Sequence, residues 1–421
     1  MRKPSLPLPS PLISTEPGTW AHDTMSRRVN EEILQRTYEE NEDFFEANPE
    51  AFRKFKLLRK DLENAATTPL KLLEDLEEEA AEDIQEWNAI IEPHISAKKT
   101  WLSTPWMISE FYLYRRLLAD IGYFNASNPN TFQKDLFERQ KKAGTESSPS
   151  TAEGILERVS KLTEYSHDNL AVILSIPLWG NQMDLSIWPT GTKENALLKV
   201  IENSHENLLW DDTDAICDHC STKPGNVDIV VDNAGLELVT DLILADYFIT
   251  SGIASQVTFR LKSFPTFVSD AMEKDLRYTV SYFSSLDNKY AFCKEAGQRW
   301  EKYLSSSQWL CKQDDFWVQG KPMWEMPPHL TAEMSQSKLA IIKGDANYRR
   351  LLGDLDWDLT QDSFQNVVGD YFPSHVIALR TLKAMMGCGM DKQKVERAKS
   401  LDGDWMVNGK FGVIHFGVPP S

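Results

Sequence analysis

Asn226-Val-Asp-Ile-Val-Val231 is followed by Asp232-Asn233-Ala-Gly235 and then by Leu236-Glu-Leu-Val-Thr-Asp-Leu-Ile-Leu-Ala-Asp-Tyr-Phe248. A short β-branched apolar run, a polar break containing glycine, and a helical run stopping near Gly252 predict a buried strand that turns tightly into an amphipathic helix. Val257-Thr-Phe-Arg-Leu261 reads as a second strand, and Leu339-Ala-Ile-Ile342 as a third that runs into Lys343-Gly344-Asp345. Lys410-Phe-Gly-Val-Ile-His-Phe416 reads as a last one. Apolar strands alternating with helical stretches predict a mostly parallel sheet covered on both faces. The fold class expected is α/β, with a three-layer α/β/α, Rossmann-like domain.

Upstream the rhythm is helical, from about Trp20 to Gln140. Leu72, Leu76, Ala80, Ile84, Trp87 and Ile91 recur at steps of three and four, opposite a face carrying Glu74 to Glu79, Glu82 and Asp83. The acidic face reads as solvated. A second helix has both end signals: Thr104 as N-cap with Pro105 in the first turn, and Gly122 as the stop. Its residues from Trp106 to Leu117 are apolar nearly all round, so Glu110, Tyr114 and Arg115 need partners inside the protein. Gln140 to Thr151 is polar and small-residue-rich, which reads as a loop or junction. Residues 1–19 carry several prolines and read as a loose extended arm. The expected division is this arm, a helical domain over 20–165, and an α/β/α domain over 166–421.

The chain of 421 residues is 41% hydrophobic and 26% charged, which excludes whole-chain disorder. Forty-five Lys and Arg stand against 63 Asp and Glu, a net charge of −18 that argues against duplex nucleic acid as a partner. Five cysteines are too few and odd in number for a disulfide framework and fit a reducing compartment. With no apolar run near bilayer length, no membrane partner is expected, and the location expected is the cytoplasm, with the nucleus as alternative. The oligomeric state stays open.

In open α/β sheets, ligands bind beyond the carboxyl ends of the strands. Asp232 and Asn233 fall there, offering two hard oxygen donors, with Gly235 allowing close backbone approach. Ser269-Asp270 would complete an all-oxygen site suited to Mg²⁺ or Mn²⁺. The third group is Lys343-Gly-Asp345-Ala346-Asn347-Tyr348-Arg349-Arg350 together with Arg380-Thr-Leu-Lys383, cations that would bind phosphate. Eight scattered histidines do not suggest a zinc site, and Cys217-Asp-His-Cys220 lacks a second pair.

Asp232-Asn-Ala-Gly-Leu-Glu237, Lys343-Gly-Asp-Ala-Asn-Tyr-Arg349 and Arg380-Thr-Leu-Lys383 resemble the motifs of the metal-dependent damage-control phosphatases, and the last is the mark of their sugar-phosphate branch. Trp179-Gly-Asn181-Gln-Met-Asp184-Leu-Ser186 and Pro105 to Arg116 resemble family segments too. The resemblance runs from Trp20 to the end and implies a divalent cation such as Mn²⁺, Co²⁺ or Mg²⁺ on Asp232, Asn233 and Asp270. It also implies substrate contacts from Asp345, Ala346, Asn347, Tyr348, Arg349 and Lys383, with Asp232 and Asn233 joining in. Glu237 matches a family glutamate linked to S-adenosylmethionine. Asn181, Asp184, Glu110 and Arg380 are weaker candidates. Ala346, Val29 and Asn128 depart from the family pattern without removing a ligand.

The activity implied is hydrolysis of phosphosugars, fructose 1-phosphate and fructose 6-phosphate first, with Asp232 and Asp270 as catalytic residues. Whether water or a carboxylate attacks phosphorus stays open. Two alternatives stand beside it. One is a protein-glutamate methyltransferase using S-adenosylmethionine, although Asp-Asn-Ala-Gly is not the usual glycine-rich nucleotide loop. The other is a non-catalytic binding module using the acidic helix around Glu77 to Glu82.

Overall fold

The computed structural model describes residues 2–74, 81–162, 164–180 and 205–420. Among them, β1 (Leu208–Asp211), β2 (Gly225–Val230), β3 (Ala254–Leu261), β4 (Trp309–Gln313), β5 (Leu339–Lys343), β6 (Val376–Thr381) and β7 (Gly412–Gly417) form one sheet. Their order is β1-β7-β6-β5-β2-β3-β4. The five from β6 to β4 run parallel, while β7 is antiparallel to β6 and carries β1 alongside it in its own direction. The chain therefore moves outward from β2 through β3 and β4, returns to place β5 on the other side of β2, and continues to β6. The direction of winding reverses between β2 and β5, the position at which such sheets leave a crevice at their carboxyl ends.

Both faces of the sheet are covered, so neighbouring strand residues enter different cores. Ala340, Ile342, Val376 and Ala378 join one cluster with the helical N-terminal segment. Ile341, Ile377, Leu379 and Ile229 join the other, with helices Pro149–Val159, His167–Trp179, Leu236–Thr250 and Ala291–Ser305. That doubly buried environment explains the unbroken apolar strands. β1 and β4 lie at the sheet edges and are short, and each ends in polar residues, so the apolar-run criterion passes over them.

Several expectations change. The Leu236 helix is not amphipathic: Glu237 to Phe248 are all buried, because outer helices pack over the side turned away from the sheet. Gln140 to Thr151 is not a loop but lies in helices Glu138–Ser147 and Pro149–Val159. Tertiary contacts outweigh weak helix propensity there. Lys141 is buried between Asp135 at 2.6 Å and Asp275 at 2.7 Å, and Gly144 abuts Gly235, where a Cβ on Gly235 would fall 3.3 Å from the Gly144 backbone.

Ile84, Trp87 and Ile91 share the buried face of helix Ala81–Ser96, but Leu72 lies outside it in extended chain and is exposed. Leu76, Ala80 and most of the acidic stretch around Glu77 to Glu82 lie outside the described residues. Helix Trp106–Ile121 ends at Gly122 with φ +77°. Its cap is not Thr104, whose hydroxyl donates to Thr100 O. Instead Asp354, distant in sequence, accepts the Met107 N–H at 3.0 Å, a cap supplied in trans to the positive end of the helix dipole. The N-terminal arm is extended but docked. Pro11 bridges Leu355 and Ile13 bridges Pro105. All five cysteines are free, and Cys217 and Cys220 are buried on one helix.

Candidate active site

A cavity of about 330 Å³ opens at the winding reversal. Its floor comes from the carboxyl ends of the strands: Asp232, Asn233 and Glu237 after β2, Ser269 and Asp270 after β3, Gly344, Asp345, Ala346 and Arg349 after β5, and Thr381 and Lys383 after β6. Its roof comes from the helical segment, chiefly Trp20, Thr24, Arg28, Ile33, Trp106 and Glu110.

The floor is held by backbone. Ala234 N–H donates to Ser269 O at 2.7 Å and Ala271 N–H to Asp232 O at 2.8 Å, so Asn233 and Asp270 pair as an antiparallel bridge. This brings together two segments separated by more than thirty residues. The loop carrying Asp270 passes through Phe267, whose φ of +50° is costly for a non-glycine residue. Phe267 is fixed by packing on Phe111 and Tyr114 from the roof. Gly344 is required as glycine: its φ is +81°, and a Cβ there would fall 2.0 Å from Asp232 Oδ2.

Asn233 Nδ2 donates to Asp232 Oδ2 at 2.6 Å and Glu237 Oε2 at 2.9 Å, while its Oδ1 accepts from Ser269 Oγ. Burial raises the Asp232 pKa well above the carboxylate range, and the Glu237 and Asp270 carboxylates add to that rise. Burial also lifts Asp270 to about 6 against the pull of Lys262, whose Nζ lies 3.3 Å away. Glu237 ends below its usual value. Its burial is outweighed by Lys343 and Lys383 and by the Asn233 amide.

The cations divide by role. Lys343 is buried and turned from the cavity, pairing with Asp241 at 2.9 Å and Glu237 at 3.2 Å. Arg380 is also buried; its Nε holds Asp345 Oδ1 at 2.8 Å, and the Lys383 N–H adds a bond to the same oxygen at 3.2 Å. Arg349 lies in the cavity wall, 3.5 Å over the Trp106 ring, with bonds to both oxygens of Asp354 and to Glu110 Oε2. Burial raises the Glu110 pKa, against Arg349. Within the Asp345–Leu351 helix, Asp345, Ala346 and Arg349 share the cavity face. Asn347 and Tyr348 are buried, bonded to Val231 O and facing His415 respectively. Asn181 and Asp184 lie outside the described residues.

Five carboxylates line the cavity against Arg28, Arg349 and Lys383. Behind the lining, Lys262, Lys343 and Arg380 contact Asp270, Glu237 and Asp345. The carboxylates that face the cavity repel an approaching phosphate dianion, by about 4 kcal/mol for two like charges about 4 Å apart at an effective dielectric of about 20, and a cation between them would relieve that repulsion. Among the described residues, no group of three or more His, Cys, Asp or Glu side chains is arranged for a metal. The expected donors are instead two carboxylates and an amide, and their all-oxygen chemistry fits a hard divalent cation.

A family model for the damage-control phosphatase ARMT1-like domain matches residues 22–398. The chain belongs to this family. The ARMT1-like domain thus spans both the helical segment and the sheet. Damage-control phosphatase ARMT1 of Danio rerio is 30% identical over 94% of this chain and 91% of its own length. Its namesakes in Mus musculus and Homo sapiens are 28% and 27% identical, each over 98% of this chain and 99% of their own. Among the described residues, no helix is long and apolar enough to cross a membrane.

Motif reading missed the roof residues Trp20, Thr24, Arg28 and Trp106. For Trp106 the signal was its place in a helix too apolar to be exposed yet carrying Glu110; the others have no local signature.

Proposed function

We propose that this protein is a divalent-metal-dependent phosphatase that hydrolyses sugar phosphomonoesters, fructose 1-phosphate and fructose 6-phosphate first, removing phosphosugars that react with proteins. The observation that carries this reading is the gathering of Asp232, Asn233 and Asp270 in one cavity at the winding reversal, with Lys383 on its rim. Family membership supports the hydrolase class.

Asp232, Asn233 and Asp270 would hold the cation, as the resemblance implies. Bound there, Mn²⁺, Co²⁺ or Mg²⁺ supplies the charge that lets a phosphate dianion approach and polarises its oxygens. Lys383 would take an equatorial phosphoryl oxygen, adding charge stabilisation where the transition state needs it. Arg349, already shared between Glu110 and Asp354, would orient the ester with its remaining N–H donors. Asp345, fixed through one oxygen by Arg380, would accept from a sugar hydroxyl with the other. With the cation absent, burial holds the Asp232 and Asp270 pKa values up, so binding it would release protons from them.

Phosphate release from a panel of phosphosugars with Mn²⁺, Co²⁺ or Mg²⁺, and with chelator as control, tests the reading. Metal-dependent release that favours ketose phosphates is expected. Absence of release from every ester with every metal would overturn it.

A further inference from the structure

The chain from Thr24 to Leu34 winds as a π-helix rather than an α-helix. Its i→i+5 bonding turns the chain by less per residue, so positions four or five apart fall in line. Thr24, Arg28 and Ile33 have those spacings, and all three line the cavity. In an α-helix, at about 100° per residue, Ile33 would lie half a turn away from Thr24. Long π-helical runs are rare and tend to occur at functional sites. Here the winding brings Ile33 round to the cavity face that Thr24 and Arg28, four residues apart, already share, and Arg28 is the cation this face adds to the site.

Arg28 differs from the other cations around the site. Its guanidinium lies 4.2 Å over the Trp20 ring, within cation–π range. Its Nε meets Glu32 Oε2 at 3.3 Å, a single contact to a carboxylate that is itself half exposed. Such a partner is worth little in water and is easily exchanged. Arg349, by contrast, has three bonds to two buried carboxylates.

We infer that Arg28 is a substrate-binding, specificity-determining residue. Its guanidinium, set in the cavity lining beside the Trp20 ring, donates to the oxygen-rich organic part of the substrate from the helical side of the cavity, while the phosphoryl group lies on the floor. The ligand class is a phosphomonoester whose alcohol carries several hydroxyls, such as a ketose phosphate. Esters of plain phenols gain nothing from Arg28. The assignment of the phosphoryl end to the floor rests on the function proposed above.

Rapid-mixing binding of fructose 6-phosphate and of phenyl phosphate, each with Mn²⁺ present and read from tryptophan fluorescence before turnover, tests the inference in wild type, Arg28→Gln and Arg28→Lys. Loss of one or two charge-assisted hydrogen bonds should weaken fructose 6-phosphate binding about tenfold to a hundredfold in Arg28→Gln. Phenyl phosphate binding should stay within about twofold, and the melting temperature should hold. Arg28→Lys keeps the charge without the fork and should recover only part of the loss, which keeps the test open if the glutamine variant folds poorly. Unchanged sugar-phosphate binding, equal loss for both ligands, or a wild type that binds neither would overturn the inference. A wild type that binds fructose 6-phosphate through Arg28 yet releases no phosphate would overturn the phosphatase reading and leave Arg28 in place.

Discussion

Floor and roof of the cavity are built on opposite terms. The floor crowds Asp232, Glu237 and Asp270 at the ends of parallel strands, where burial and mutual repulsion work against the folded state. The joint between roof and floor is paired instead: Arg349 and Asp354 bond one another, Glu110 and the Met107 N–H. The contrast teaches that function here is stored as electrostatic strain, and that the surrounding helices supply the stability that tolerates it.

The largest expected effect lies on the floor. Asp232→Ala should lower metal-dependent phosphate release by about 10³-fold or more, as loss of a central charge-stabilising group does elsewhere. The metal-free variant should melt at the same temperature as wild type or higher, because a crowded buried carboxylate has gone. A clear fall in melting temperature would mean that Asp232 is structural.

At the joint the sign reverses. Asp354→Ala strips the Trp106 helix of its cap and leaves Arg349 with Glu110 alone, so denaturant titration should show a loss of about 3–5 kcal/mol. Residual activity per folded molecule should survive, unlike that of Asp232→Ala.

Next comes a pH effect confined to the helical layer. Burial raises the Asp120 carboxyl to about 6 despite its ion pair with Arg116. The folded state then binds this proton more tightly than the unfolded chain, so the contribution is fully present below about pH 4 and is lost as pH rises through 6. Across that window wild type should lose about 3 kcal/mol more stability than Asp120→Asn, the other buried carboxyls being common to both. Equal slopes for both proteins, measured by urea unfolding, would refute it.

The smallest effect distinguishes local strain from mere packing on the floor. Gly344→Ala places a methyl against Asp232 at a left-handed φ, and a stability loss of about 1–3 kcal/mol is expected with reduced activity. Unaltered thermal melting and turnover would show that the loop can move aside.

The floor was legible because its parts are local. Asp232-Asn233 and Gly344-Asp345 each follow an apolar strand, and residue type alone marks the turn. That Asp270 meets Asn233 depends on a backbone bridge that no spacing encodes. Lys343 looked like a phosphate ligand, yet its strand register turns it into the core beneath the floor, onto Asp241. The roof was not legible for a different reason. Thr24, Arg28 and Ile33 align only in a π-helix, whereas a sequence pattern is read at the α-helical period. The misread segment from Gln140 to Thr151 makes the same point, since Lys141 and Gly144 belong to a helix only through partners far along the chain.

The docked arm carries one more consequence. Leu12 N–H bonds Asp354 O, and Leu12 O accepts from Trp106 N–H, so a single residue laces the two elements that Arg349 also joins. Opening the cavity by swinging the helices outward must therefore unpick a backbone seam as well as an ion pair. Limited proteolysis within the first dozen residues would loosen that seam without touching any group in the cavity, making entry and exit of ligand faster while the chemistry stayed as it was.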